Sequence, residues 1–155
     1  MCIRDRDTAV ATLGRLLPPA EGRLKLSEIK ERIYQCLEEN LAYDESAVTL
    51  NGNNDFLAYT LEQKKKGYSV HYATAAVLML RYYGVPARYV EGYYLRPEEA
   101  NAAAPGEELV LDETHAHAWA EYYLDGIGWI PFETTPGYID QEEIGVSEDT
   151  GLGQD

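Results

Sequence analysis

The chain has 155 residues, 45% of them hydrophobic, which is enough for one compact domain with a core of its own. Its formal net charge of -14 argues against nucleic acid and anionic lipid as partners, since both are held through Lys and Arg. The two cysteines, Cys2 and Cys36, make no disulfide framework and assign no redox compartment.

No stretch approaches the roughly 20 apolar residues of a membrane span. The start, Met1 to Arg6, has no apolar h-region, so it does not read as a signal peptide. Both ends look cut, which points to a larger parent protein. Thirteen tyrosines against two phenylalanines predict many half-buried rings near a groove, because a tyrosine buries its ring and keeps its hydroxyl wet or bonded.

Residues 1–22 carry Gly14, Pro18, Pro19 and Gly22 and read as an N-terminal extension, a short helix or coil followed by a linker. The first firm helix is expected to begin at Ser27 as N-cap, with Ile29, Ile33, Cys36, Leu37 and Leu41 on its apolar stripe. Cys36 on that stripe reads as a buried core thiol. Residues 43–54 form a polar loop with a turn at Asn51 to Asn54. Asp55 then caps a short helix that Lys64, Lys65 and Lys66 end, with Gly67 as C-cap. Ser69 opens the next helix, whose face is Ala73, Ala76, Val77, Leu80 and Tyr83, and Gly84 and Pro86 stop it.

Three strands are predicted over 87–95, 115–124 and 128–133, the last two joined by a hairpin at Asp125-Gly126. An acidic loop from Arg96 to Thr114 separates the first two and is long enough to be a flap. Residues 139–155 read as an acidic, disordered tail. Helices followed by an antiparallel meander make an α+β domain over residues 23–138, with a central helix packed on the sheet.

Acyl transfer needs a nucleophile, a histidine that reaches it and a carboxylate that orients the histidine. A helix N-terminus suits the nucleophile, because its free N–H groups and dipole favour negative charge. Ser69 at a helix head, His117 on the second strand and Glu133 at the end of the third supply one of each. Each has a plain structural alternative: serine is a good N-cap, a histidine can simply be half-buried, and a carboxylate can end a strand in solvent. Three histidines, His71, His115 and His117, could in principle hold zinc, but no carboxylate or cysteine stands at ligand spacing beside them. No metal or cofactor is called for. Trp119 and Trp129 are expected in the core or on a groove wall, Trp119 on the face of His117.

Three blocks carry a resemblance. They are Gly67-Tyr68-Ser69 with Tyr83-Gly84-Val85-Pro86-Ala87-Arg88, then His117-Ala118-Trp119-Ala120-Glu121, then Gly128-Trp129-Ile130-Pro131-Phe132-Glu133-Thr134-Thr135-Pro136. In this order they resemble the bacterial transglutaminase-like domain of the transglutaminase and cysteine-peptidase superfamily. The resemblance implies a papain-like core with nucleophile, base and orienting acid at Ser69, His117 and Glu133. It implies action on amide bonds of a protein or peptide through an acyl-enzyme, with water or an amine as acceptor. It also suggests a membrane-anchored parent with this domain outside the cytoplasm.

Two positions depart from the family pattern: serine stands where cysteine is usual, and Glu133-Thr134 where Asp-Pro is usual. A serine hydroxyl cannot be held ionised as a thiolate can, so it depends on a well-placed neutral imidazole. An inactive domain that binds an extended peptide in the same groove is the competing reading.

Overall fold

The computed structural model describes residues 3–48 and 55–139. The helices are α1 (Ile3–Leu16), α2 (Leu26–Asn40), α3 (Ser69–Tyr82) and the short α4 (Pro97–Ala102). Two-residue strands β1 (Ala42–Tyr43) and β2 (Lys66–Gly67) pair in parallel. Strands β3 (Ala87–Tyr93), β4 (Ala116–Leu124) and β5 (Gly128–Phe132) form an antiparallel sheet in the order β3-β4-β5. This is the expected α+β plan, helices first and meander last.

The central helix is α3. Tyr72, Ala73, Ala75, Ala76, Val77, Met79 and Leu80 are all buried, so it is covered nearly all round, as an apolar helix must be. It packs on β3 and β4 and also touches α1 and α2. The alanines keep these neighbours close, and Tyr72 satisfies its hydroxyl on the Leu41 carbonyl at 2.9 Å. Gly84 turns the chain at φ +82°, and Arg81 clamps the turn by donating twice to the Ala87 carbonyl, at 3.0 and 2.7 Å.

The segment 1–22, read as a short helix or coil followed by a linker, holds a helix and then coil. Ile3–Leu16 is helical, and Ala9, Leu13 and Leu17 join the same apolar cluster as α2, α3, β4 and β5. Their helical spacing outweighs the single Gly14. Helix α2 starts before Ser27: Glu28 reaches back to accept the Lys25 N–H at 2.8 Å, closing the end without a serine cap. Asp55 caps as expected, accepting from Leu57 N–H at 3.0 Å. The segment after it is a π-helix, Ala58–Lys64, and its C-cap is Lys65 at φ 54°, not Gly67. The wider turn closes from Lys65 N–H to the Thr60 carbonyl at 2.8 Å, which frees Gly67 for another purpose described below. The flap from Arg96 contains α4, and a 3₁₀ turn, Glu113–His115, leads into β4. The turn expected at Asn51 to Asn54 and the tail beyond residue 139 lie outside the described residues.

Candidate active site

The head of α3 is built by its neighbours. Tyr68 is the N-cap, and its backbone N–H is taken by His71 Nδ1 at 3.1 Å. Ser69 is therefore the first helical residue, and its hydroxyl does not cap the helix. Instead Ser69 Oγ accepts the Ala118 N–H at 3.3 Å. That N–H is available because β5 pairing ends at Ala120↔Phe132, two residues short of Ala118. The capping explanation of this serine is thus replaced by a contact to β4, at the residue that follows His117.

Beyond Phe132 the chain turns inward, and Glu133 meets the imidazole. Glu133 Oε2 lies 2.6 Å from His117 Nε2. Its other oxygen, Oε1, accepts the N–H groups of Thr134 at 3.0 Å and Thr135 at 2.9 Å. Tyr34 on α2 holds the Glu133 carbonyl with its hydroxyl at 2.9 Å. Two amides fix one carboxylate oxygen, so the other is aimed. A carboxylate only accepts, so His117 Nε2 carries the proton and Nδ1 is the basic nitrogen. Nδ1 has no hydrogen-bond partner among the described residues.

Aromatic rings enclose His117, whose side chain is only 2% exposed. Tyr138 stacks on it with centroids 4.1 Å apart and planes 14° apart. Tyr94 lies tilted at 5.7 Å and Trp119 near-parallel at 6.3 Å. Trp119 sits over Gly92, the residue registered with His117, where an added Cβ would come within 2.8 Å of the indole. Three tyrosines about the site, Tyr34, Tyr94 and Tyr138, are half-buried.

The sequence model of the transglutaminase-like superfamily matches residues 19–134. The chain belongs to this superfamily. The uncharacterized protein YebA of Bacillus subtilis is 31% identical over 114 residues, covering 73% of this chain and 16% of YebA. A protein-glutamine gamma-glutamyltransferase of Pseudomonas aeruginosa is 38% identical over 89 residues, covering 57% of this chain and 12% of that protein. A crystal structure of the periplasmic domain of TgpA from Pseudomonas aeruginosa aligns at 24% identity and TM-score 0.47, covering 86% of this chain and 48% of that one. The chain spans less than a fifth of either curated relative. Among the described residues, no helix is long and apolar enough to cross a membrane.

Within this papain-like, transglutaminase-like core the three histidines go to three places. His117 meets Glu133. His71 is buried beneath Tyr68 and Phe56, and burial pushes its pKa down against backbone hydrogen bonds to Val48 and Tyr68. His115 joins Asp112 at 2.9 Å and Glu99 at 3.2 Å in an exposed cluster. Among the described residues no group of three or more His, Cys, Asp or Glu is arranged to hold a metal ion.

Trp129 is a correction: it is 41% exposed on the face of the sheet away from α3, beneath the Arg88 guanidinium at 4.3 Å. Strand alternation left its face to the register, and the register Tyr123↔Trp129 sets it on the open side. Sequence reasoning missed Tyr138 and Tyr34, because neither lies at motif spacing from His117. Both are placed by turns and helix packing far from it in the chain.

Proposed function

We propose that this domain carries out acyl transfer on amide bonds of proteins or peptides, with Ser69 as nucleophile, His117 as base and Glu133 as the orienting carboxylate. The observation that carries the reading is the 2.6 Å pair of His117 on β4 and Glu133 just past β5, beside Ala118, whose N–H meets Ser69 at the α3 head. In the proposed reaction Ser69 Oγ attacks the amide carbonyl and its proton passes to His117 Nδ1. The protonated imidazole then returns that proton to the leaving amine, and an ester on Ser69 remains. Water or a primary amine attacks the ester, giving hydrolysis or cross-linking. The name of the Pseudomonas relative, protein-glutamine gamma-glutamyltransferase, supports a glutamine side-chain amide as donor.

Serine in place of the family's cysteine makes this site slow, because the hydroxyl must lose its proton during attack and not before it. The test is Ser69→Cys. Free N–H groups and His117 should depress the new thiol below the ordinary value of about 8.5, so iodoacetamide labels it at mildly acidic pH. Cys36 serves as the slow reference, since burial pushes its thiol up to about 11. His117→Ala in the same background should slow labelling, and amine incorporation into a glutamine-bearing protein should rise above the wild-type level. A thiol at position 69 that labels no faster than a free cysteine would show an unprepared site, leaving a peptide-binding domain as the reading.

A further inference from the structure

The site as it stands is closed. Ser69 is 9% exposed and the His117 side chain 2%, so no peptide amide can reach them without some cover moving. The rings over His117 are not held equally. Trp119 is in mid-strand, lies on Gly92 and donates its indole N–H to Glu121 at 3.2 Å. Tyr94 follows β3 directly and its backbone N–H bonds the His115 carbonyl at 2.8 Å, extending the ladder.

Tyr138 lies outside the sheet, on a turn closed from its N–H to the Thr135 carbonyl at 3.1 Å. The residue before it, Gly137, has φ +84°, a conformation glycine enters freely. The Tyr138 hydroxyl accepts from Arg96 Nη2 at 3.2 Å, and the Arg96 guanidinium also lies 5.0 Å from the ring centroid. Arg96 in turn is the N-cap of α4.

Beside this ring is a cavity of about 250 Å³ lined by Tyr94, Arg96, Glu99, Thr114, His115 and Tyr138 itself. Cavities that hold ligands usually run from about 300 to 1,000 Å³, so this one suits a side chain better than a substrate. Its polar walls can receive a phenol hydroxyl.

We infer that Tyr138 is a gate over His117, latched by Arg96 from the head of α4, and that it swings into the neighbouring cavity to admit substrate. In the closed position the ring keeps water from the imidazole. In the open position one face of His117 is free while Glu133 still holds Nε2. Substrate that engages α4 and draws Arg96 away would release the latch, which couples the flap to the site. This inference rests on the proposed function for its purpose, though not for its test.

The test is carbethoxylation of native protein by diethyl pyrocarbonate, with each histidine followed by peptide mass spectrometry. The reagent needs an accessible imidazole and no turnover. His117 in wild type should label slowly. Tyr138→Ala should speed it roughly fivefold to tenfold, the size of effect that one lost ring stack gives. Tyr138→Phe and Arg96→Gln keep the ring and break the latch, so each should speed labelling a few fold.

His71, which Tyr138 does not touch, is the internal control and should keep its wild-type rate. An unchanged His117 rate in Tyr138→Ala overturns the gate. Acceleration of His71 together with His117 also overturns it, because Tyr138 would then be supporting the fold. Wild-type rates in both latch variants overturn the role of Arg96. A domain without turnover that still shows these rates defeats the proposed function and leaves the gate standing.

Discussion

Gly67→Ala tests how the α3 head is set. A Cβ at Gly67 would stand 2.5 Å from His71 Cβ, 2.8 Å from Cγ and 3.2 Å from Nδ1. The nearest atom is a Cβ fixed to the helix backbone, so no rotamer change relieves the clash. The ring is also pinned, with Nδ1 on the Tyr68 N–H and its faces near Phe56 and Tyr68. Either β2 or the first turn of α3 must move by about half an ångström or more. Overpacking of this kind costs about 1–3 kcal/mol, against roughly 0.4–1 kcal/mol gained by restricting the unfolded chain. The net expectation is destabilisation by about 1–2 kcal/mol, read by urea denaturation.

Gly14→Ala is the matched control. Gly14 lies in α1, and its Cβ would meet only the Tyr82 hydroxyl at an ordinary 3.8 Å. This change should stabilise by about 0.5–1 kcal/mol, the helix preference of alanine over glycine. The same added methyl is thus expected to act with opposite signs at the two sites. Gly67→Ala at or above wild-type stability would refute the claim that His71 fixes the approach of β2 to α3.

Further outcomes concern Glu133, Trp119 and His71. Glu133→Ala strips the acceptor from two amides and from His117 and should cost about 2 kcal/mol, whereas Glu133→Gln keeps the amide contacts and should cost about 1 kcal/mol or less. In Glu133→Gln the amide N–H faces His117 Nε2, so nitrogen NMR should find the imidazole proton on Nδ1; a proton still on Nε2 would contradict the aimed-carboxylate account. Trp119→Ala should destabilise by about 2 kcal/mol, below the 3–5 kcal/mol of a fully buried ring, because the indole is half-buried. For His71 the folded state favours the neutral ring, so the unfolded chain binds the extra proton below its ordinary pKa of about 6.5. Stability should therefore fall on acidification from about pH 6.5 down through the lowered folded pKa, at no more than about 1.4 kcal/mol per pH unit, and His71→Gln should remove that slope.

The long periodic elements were legible in the sequence. Ile29, Ile33, Cys36 and Leu37 mark α2 by spacing alone, and alternation marks β3, β4 and β5. Where local punctuation competed with periodicity, periodicity won, as at Gly14 within α1. The start of α2 was not legible because its closure uses a glutamate three residues inside the helix. The strands β1 and β2 are two residues each, too short for any pattern, yet they carry the chain into Ser69: Asp44 N–H bonds the Gly67 carbonyl at 2.8 Å. Gly67 itself was legible as a required glycine, but for the wrong reason. The sequence marks it as a helix C-cap, while its requirement is steric and comes from a side chain four residues later.

The serine at position 69 has more than one physical reason to be there. As first residue of α3 it needs no side-chain cap, because His71 supplies one for Tyr68. Its oxygen is spent as an acceptor on the Ala118 N–H, a duty that sulfur performs weakly. This contact ties α3 to β4 and gives serine a structural advantage over cysteine at the same place. It also leaves the hydroxyl proton without an acceptor among the described residues. One residue before Ala118, His117 Nδ1 has no donor among the described residues, while Glu133 holds the ring's other nitrogen. The hydroxyl proton and Nδ1 are complementary in chemistry, a donor and an acceptor carried by residues that Ala118 brings close together in the chain and the fold. Hydrogen bonds at a catalytic centre are often long or unmade before substrate arrives, so the missing Ser69–His117 bond is no argument against the acyl-transfer reading. Because the oxygen can keep Ala118 while the proton is donated, the acyl-transfer reading expects the hydroxyl on Nδ1 in a structure with substrate bound, and a hydroxyl directed elsewhere there would leave Ser69 serving only the fold.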